Sequence, residues 1–183
     1  MKRYEVEQKY RIKDPAAFRK KIRALKARKI LSGPEKNDVF DLKPFGMQEG
    51  ILRLRKSGGK GKLTFKGPRM PGRFKKRIEI ETAVDYENTR AIFAFLNWKP
   101  ACRYEKIREE YRAGKALVTL DYLKNHGWFA EIEAKPRNIH ALERKLGLKL
   151  SDREPRTYLE ILGLRFHRSI AKAAQTDARD IGR

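Results

Sequence analysis

Apolar and charged residues alternate with a period of two over most of this chain. Residues 3–12 (RYEVEQKYRI) set charges against Val6 and aromatic neighbours, the pattern of a strand with one buried face. The same alternation predicts strands over 36–42, 51–56, 62–67, 74–84, 103–112, 115–123 and 128–135. Ser57-Gly58-Gly59-Lys60-Gly61 joins two of them as a hairpin, and Ala113-Gly114 and Asn125-His126-Gly127 turn two more. The period changes to that of a helix over 16–29, after the cap and first-turn proline of Asp14-Pro15, with Phe18, Ile22 and Leu25 on one stripe. Gly33-Pro34 ends that unit. Further helices are expected over 87–97 behind Asp85, over 138–147, and over 155–163 with a cap in the Ser151-Asp152 region. Eight strands with mostly hairpin connections predict an α+β fold, an eight-stranded antiparallel β-barrel with helices packed outside. Residues 1–164 read as one domain, and 165–183 as a basic tail, helical or disordered.

The charges on these strands fall in pairs. Glu5-Val6-Glu7, Glu79-Ile80-Glu81 and Glu131-Ile132-Glu133 each put two carboxylates on one strand face, because side chains two apart point the same way. Lys9 and Arg77 extend two of those faces. Arg53 and Arg55 flank Leu54, Lys62, Thr64 and Lys66 alternate with Leu63 and Phe65, Lys106 and Arg108 flank Ile107, and Asp121 follows Leu120. One such strand alone reads as the solvated side of an antiparallel sheet. Repeated on nearly every strand, the pattern suits a barrel whose lumen is charged. Val6, Leu54, Phe65, Ile80, Ile107 and Ile132 would then face a shell of helices.

Composition narrows the chemistry. The chain has 183 residues with 45 Lys plus Arg against 23 Asp plus Glu, a formal net charge of +22, which points to an anionic partner. No apolar run approaches the roughly 20 residues of a membrane-spanning helix, and the N-terminus has no apolar signal-peptide core. No membrane partner is therefore expected. The lone cysteine, Cys102, excludes an internal disulfide and fits a reducing cytoplasm, and reads as a packing residue. His126, His140 and His167 are scattered, which argues against zinc. Gly58-Gly59-Lys60-Gly61-Lys62 lacks the spacing of a phosphate-binding P-loop. Trp98 and Trp128 read as packing residues. A lumen bearing both signs suits a polyphosphate, whose oxygens want Arg and Lys. It also suits a hard divalent cation held by carboxylates, Mg²⁺ or Mn²⁺ rather than zinc or copper.

The order of these motifs resembles the CYTH superfamily, the triphosphate tunnel metalloenzymes. The resemblance rests on Glu5-x-Glu7-x-Lys9, Arg53-x-Arg55, Thr64-x-Lys66-Gly67-Pro68, Arg77-x-Glu79-x-Glu81, Lys106-x-Arg108, Asp121 and Glu131-x-Glu133, in that order. It implies a tunnel binding a triphosphate and Mg²⁺ or Mn²⁺. Glu5, Glu7, Asp121, Glu131 and Glu133 would hold metal, with Glu79 and Glu81 as candidate additions. Lys9, Arg53, Arg55, Lys66, Arg77, Lys106 and Arg108 would clamp the triphosphate, and Lys9, Glu5 and Glu7 would be central to catalysis.

Members of the superfamily cyclise ATP, or hydrolyse thiamine triphosphate, inorganic triphosphate or an RNA 5′ γ-phosphate. Tyr4-Glu5-Val6-Glu7-Gln8-Lys9-Tyr10-Arg11, Asp38-Val39-Phe40-Asp41 and Arg156-Thr157-Tyr158-Leu159 look most like the class IV adenylate cyclase branch. The resemblance thus implies conversion of ATP to cyclic AMP and pyrophosphate, with a triphosphatase acting on inorganic or thiamine triphosphate as the alternative. A non-catalytic polyanion- or RNA-binding protein is the competing class. Segment 13–29 carries eight basic residues and one acid, and 56–77 nine basic residues and no acid, so nucleic acid could bind there, though this is not favoured. A monomer or homodimer is expected. The candidate site contains seven acids and seven bases, so setting it aside leaves the net charge at +22. The excess belongs to helices, loops and tail.

Overall fold

The computed structural model describes residues 3–72 and 74–164, with the side chains of Arg3 and Glu5 excepted, so the expected tail at 165–183 lies outside the described residues. The elements are β1 (Arg3–Ile12), α1 (Pro15–Ala24), β2 (Arg28–Asp41), β3 (Ile51–Ser57), β4 (Lys60–Lys66), β5 (Lys75–Val84), α2 (Tyr86–Phe95), β6 (Cys102–Ala113), β7 (Ala116–Leu123), β8 (Gly127–Glu133), α3 (Pro136–Leu146) and the single turn α4 (Tyr158–Ile161). The strands close into a barrel in the order β1-β5-β4-β3-β2-β6-β7-β8, every pair antiparallel. This is the α+β barrel expected from the alternation.

Local chemistry accounts for the connections. Ser57 pairs with Lys60 across Gly58 and Gly59, whose φ values of 54° and 74° are the left-handed pair that a two-residue hairpin turn needs. Asp14 caps α1 by accepting from the Ala17 amide at 2.9 Å, and Asp85 caps α2 from Asn88 at 2.7 Å. Three boundaries differ from expectation. The helix expected to Lys29 ends at Ala24, because Lys26 turns the chain with φ 55°, and Arg28 already opens β2. Gly33-Pro34 does not end a unit. Pro34 pairs with Ile107 of β6, just before pairing with β3 begins at Glu35, and β2 tolerates a missing amide N–H where one edge is open. The last helix is shorter than 155–163 and is capped by Thr157, not from Ser151-Asp152. Thr157 and Glu160 satisfy each other's amides in a capping box.

The main core lies outside the barrel wall, where Tyr10, Ile132, Val118 and Leu120 of the strands meet Phe18 and Ile22 of α1 and Ile139 and Leu146 of α3. Of the residues expected beneath a helical shell, Leu54 and Ile132 are fully buried, and Val6 and Phe65 are half-buried. Ile80 and Ile107 are 54% and 44% exposed, so the shell covers only part of the wall. Trp98 packs as expected, against Phe40 and Phe93, while Trp128 lies against Tyr122 and beneath the Arg19 guanidinium. Burial raises the Cys102 thiol pKa, in keeping with a packing residue. No helix among the described residues is long and apolar enough to cross a membrane.

Glu109 pins α1 to the wall, accepting from Arg19 Nη2 at 2.6 Å and from Tyr111, with Lys29 at 3.1 Å. Burial alone would raise its pKa. Arg19, Tyr111 and Lys29 outweigh burial and lower it from 4.5 to about 2. A depressed carboxylate stabilises fully above its unfolded pKa and loses that stabilisation as pH falls through its folded one. The urea midpoint should therefore drop between pH 4.5 and 2. Glu109→Gln should lower the midpoint at neutral pH and converge with the parent near pH 2, and parallel curves would refute this assignment.

Candidate active site in the barrel lumen

The inward rows of the strands enclose a cavity of about 590 Å³. Its lining includes Glu7, Lys9, Arg53, Arg55, Lys66, Arg77, Glu79, Glu81, Lys106, Arg108, Glu131 and Glu133, so twelve of the fourteen candidate residues meet there. The other two are Glu5 and Asp121. The Glu5 backbone pairs with Arg77 in β1 and β5, and its side chain lies outside the described part. Asp121 sits behind the lining, fully buried.

Strand order sorts the charges. Carboxylates come mainly from the neighbouring strands β8, β1 and β5, and cations mainly from β4, β3 and β6. Register sharpens this division. Glu7 stands opposite Glu133, and Lys9 stands opposite Glu131. On the other wall Arg53 faces Thr64, and Arg55 faces Lys62. Lys66 Nζ bonds Glu79 Oε2 at 2.5 Å, and Glu81 accepts from Lys62 at 3.0 Å and Thr64 at 3.1 Å, so the β5 carboxylates are engaged by β4.

The deepest layer is a buried ion network. Arg108 grips Asp121 with two bonds, Nε to Oδ1 at 2.7 Å and Nη2 to Oδ2 at 2.6 Å, and also reaches Glu131 Oε2 at 2.8 Å. Asp121 Oδ2 further accepts from Lys106 at 3.1 Å and from the Tyr158 hydroxyl at 2.5 Å. Burial penalises the Arg108 charge, yet Asp121 and Glu35 more than repay it and raise its pKa. Burial and then Arg108 lower the pKa of Lys106, while Asp121 and Glu35 oppose them. Glu131 is held well below the usual carboxylate range: burial opposes this, and Lys9, Arg108, Lys106 and Lys75 overcome it.

Two residues of this layer were not among the sequence candidates. Glu35, fully buried, accepts from Asn37 at 3.1 Å and lies 3.3 Å from Arg55 Nε, 3.4 Å from Lys106 Nζ and 3.7 Å from Arg108 Nε. Those cations and Arg53 lower its pKa strongly against the effect of burial. It is the internal counter-charge of the cationic wall. Its position one residue before the expected strand hid it. Tyr158 closes one end of the cavity, its ring 3.5 Å from Lys9 Nζ and 4.3 Å from Lys106 Nζ. Below it Leu123, Phe129, Tyr158 and Ile161 form a small apolar cluster, where the inward rows of β7 and β8 change from charge to hydrocarbon. The tunnel is thereby plugged from within the chain.

The donor chemistry fits a hard divalent ion. The carboxylates of Glu7, Glu131 and Glu133 line one wall, and no histidine or cysteine is among the lining residues. Among the described residues no three acidic, histidine or cysteine side chains gather closely enough to hold an ion unaided. Mg²⁺ is commonly held by one or two carboxylates, with phosphate oxygens and water completing its shell, so these residues fit such an ion entering with a phosphate ligand.

Comparison with known proteins agrees with this architecture. The model of the CYTH domain matches residues 3–158. The chain is 29% identical over 145 residues to MJ0240 of Methanocaldococcus jannaschii, described as a candidate adenylate cyclase, covering 78% of this chain and 83% of that one. It is 27% identical over 171 residues to adenylate cyclase CyaB of Aeromonas hydrophila, covering 85% and 87%. The solved structure of the PH1012 protein from Pyrococcus horikoshii superposes with a TM-score of 0.73 at 28% identity, covering 86% of this chain and 98% of that one. With seven motifs in order on a closed eight-stranded tunnel and a domain match spanning nearly all the described residues, the chain belongs to the CYTH family.

Proposed function

We propose that this protein is a divalent-metal-dependent enzyme acting on a triphosphate in the barrel lumen, and that it converts ATP to cyclic AMP and pyrophosphate in the manner of class IV adenylate cyclases. The observation that carries this reading is the lining of the lumen: cations of β3, β4 and β6 and carboxylates of β8, β1 and β5 surround one cavity of about 590 Å³, with Arg108 of β6 bonded to Glu131 of β8. The relationship to a protein named adenylate cyclase CyaB supports the choice of reaction.

Cyclisation joins the ribose 3′-oxygen to the α-phosphorus and expels pyrophosphate. Negative charge builds on the leaving oxygens, and positioned cations stabilise it without covalent chemistry. Arg53, Arg55 and Lys66 offer that stabilisation from the cationic wall, and Lys9 from the acidic one. Buried Lys106 and Arg108 add depth to the same field and are held in place by Glu35 and Asp121. A bound Mg²⁺ or Mn²⁺ would neutralise phosphate oxygens beside Glu7, Glu131 and Glu133. Asp121, with its oxygens already engaged by Arg108, Lys106 and Tyr158, serves in this reading to orient the cations.

A second reading has its own support. The lining is dominated by charges that recognise phosphate, and this suits hydrolysis of inorganic or thiamine triphosphate as well. Chromatography of the products decides between them. ATP with Mg²⁺ or Mn²⁺ should yield cyclic AMP and pyrophosphate. Orthophosphate from ATP, inorganic triphosphate or thiamine triphosphate, without cyclic nucleotide, would replace the cyclase reading by the triphosphatase one. No product from any of them would overturn both.

A further inference from the structure

Lys75 belongs to the same strand face as Arg77, Glu79 and Glu81, one step beyond the expected motif, and its register partner on β1 is Glu7. Its ammonium group donates to the main-chain carbonyl of Arg156 at 3.1 Å. Lys9 donates to that same oxygen, also at 3.1 Å. Two lysines thus converge on one neutral acceptor, Lys9 from the lining of the lumen and Lys75 from the lining of a neighbouring cleft. Lys9 has Glu131 at 3.5 Å, but among the described residues no carboxylate forms an ion pair with Lys75. Burial and the nearby Lys9 charge lower the Lys75 pKa to about 8, although Glu7 and Glu131 pull it the other way.

We infer that Lys9 and Lys75 form an oxyanion subsite, that the Arg156 carbonyl fills it in the ligand-free protein, and that a terminal phosphate oxygen of the substrate takes the carbonyl's place. This rests on the triphosphate reading above and adds to it a clamp residue and a displaceable strap. A charged phosphate oxygen is the better acceptor, since ion-assisted hydrogen bonds are about twice as strong as those to a neutral group. The strap carrying the carbonyl is anchored on both sides of it. The Glu154 amide donates to Lys9 O at 2.9 Å, and Tyr158 donates to Asp121. A second cleft of about 380 Å³ borders the strap at Arg153 and Pro155 and is lined also by Gln8 and Lys75. In this inference the strap shifts toward that cleft while both anchors hold.

The test is calorimetric titration with imidotriphosphate, whose nitrogen bridges resist hydrolysis, in the presence of Mg²⁺. Lys75→Met should weaken binding about tenfold or more, and Lys75→Arg should restore it to within about threefold of the parent. Hydrogen exchange of residues 155–158 should accelerate on binding while the tunnel strands slow. Binding by Lys75→Met within about twofold of the parent, or slowed exchange at 155–158, would overturn the inference and leave the triphosphate reading standing. Failure of the parent protein to bind the probe at all would instead overturn both.

Discussion

Arg108→Met is expected to lower folding stability by about 3–5 kcal/mol, most of the margin a domain of this size has. The cost comes from what the guanidinium leaves behind rather than from lost attraction. Asp121 is fully buried with two bonds from Arg108, Glu131 loses a bond of 2.8 Å, and Glu35 loses a cation 3.7 Å away. Lys106 and Tyr158 remain on Asp121, but neither replaces a two-pronged grip. Urea unfolding measures the loss. Asp121→Asn placed on top of Arg108→Met should recover part of it, because the orphaned charge is then gone. A single-variant loss below about 1 kcal/mol would show that the network is not the buried, coupled unit that its geometry describes.

Glu7→Ala should do the opposite, sparing the fold and removing turnover. Glu7 stands in register with Glu133 on β8 and with Lys75 on β5, so the repulsion and the attraction lost with its carboxylate offset each other, and stability should shift by no more than about 1 kcal/mol. Turnover should fall about a hundredfold or more, the usual consequence of removing a group that organises charge at the reacting centre. Adding excess Mn²⁺ should recover part of the rate if the lost carboxylate held the metal. Glu5→Ala is expected to behave alike, because the sequence sets Glu5 two residues before Glu7 in the same alternation. Near-parental turnover in both variants would remove metal binding by β1 from the account.

The architecture was legible because alternation is a local property. Period-two runs located all eight strands, and the recurrence of charge at every second position assigned one face of the wall to the lumen before any pairing was known. What sequence could not supply was everything decided by distant partners. Pro34 looked like a terminator because its tolerance depends on β3 joining β2 one residue later. Glu35 was passed over for the same reason, although it sits among Arg55, Lys106 and Arg108. Ile80 and Ile107 have the alternation of core residues, but whether a helix covers them is a question of packing that alternation does not encode. Tyr158 entered the reading only as part of a family-like segment, and its ring position between two lysines emerges from the closure of the barrel end. Lys75 was one more positive charge in a run of nine without an acid, and only β5 register singles it out.

The excess charge of the chain is the strongest rival explanation for any anion binding. Exposed Lys20 and Arg23 on α1 represent it, while Arg53, 8% exposed, represents the lumen. The most direct measurement is therefore calorimetric titration of imidotriphosphate with Mg²⁺ into three proteins: the parent, Arg53→Ala, and the double variant Lys20→Ala/Arg23→Ala. Binding inside the tunnel predicts a loss of about tenfold or more for Arg53→Ala and a change within about threefold for the α1 double variant. Parental affinity in Arg53→Ala together with a large loss in the double variant would place the anion on the outer surface, contradicting the tunnel as the site of function.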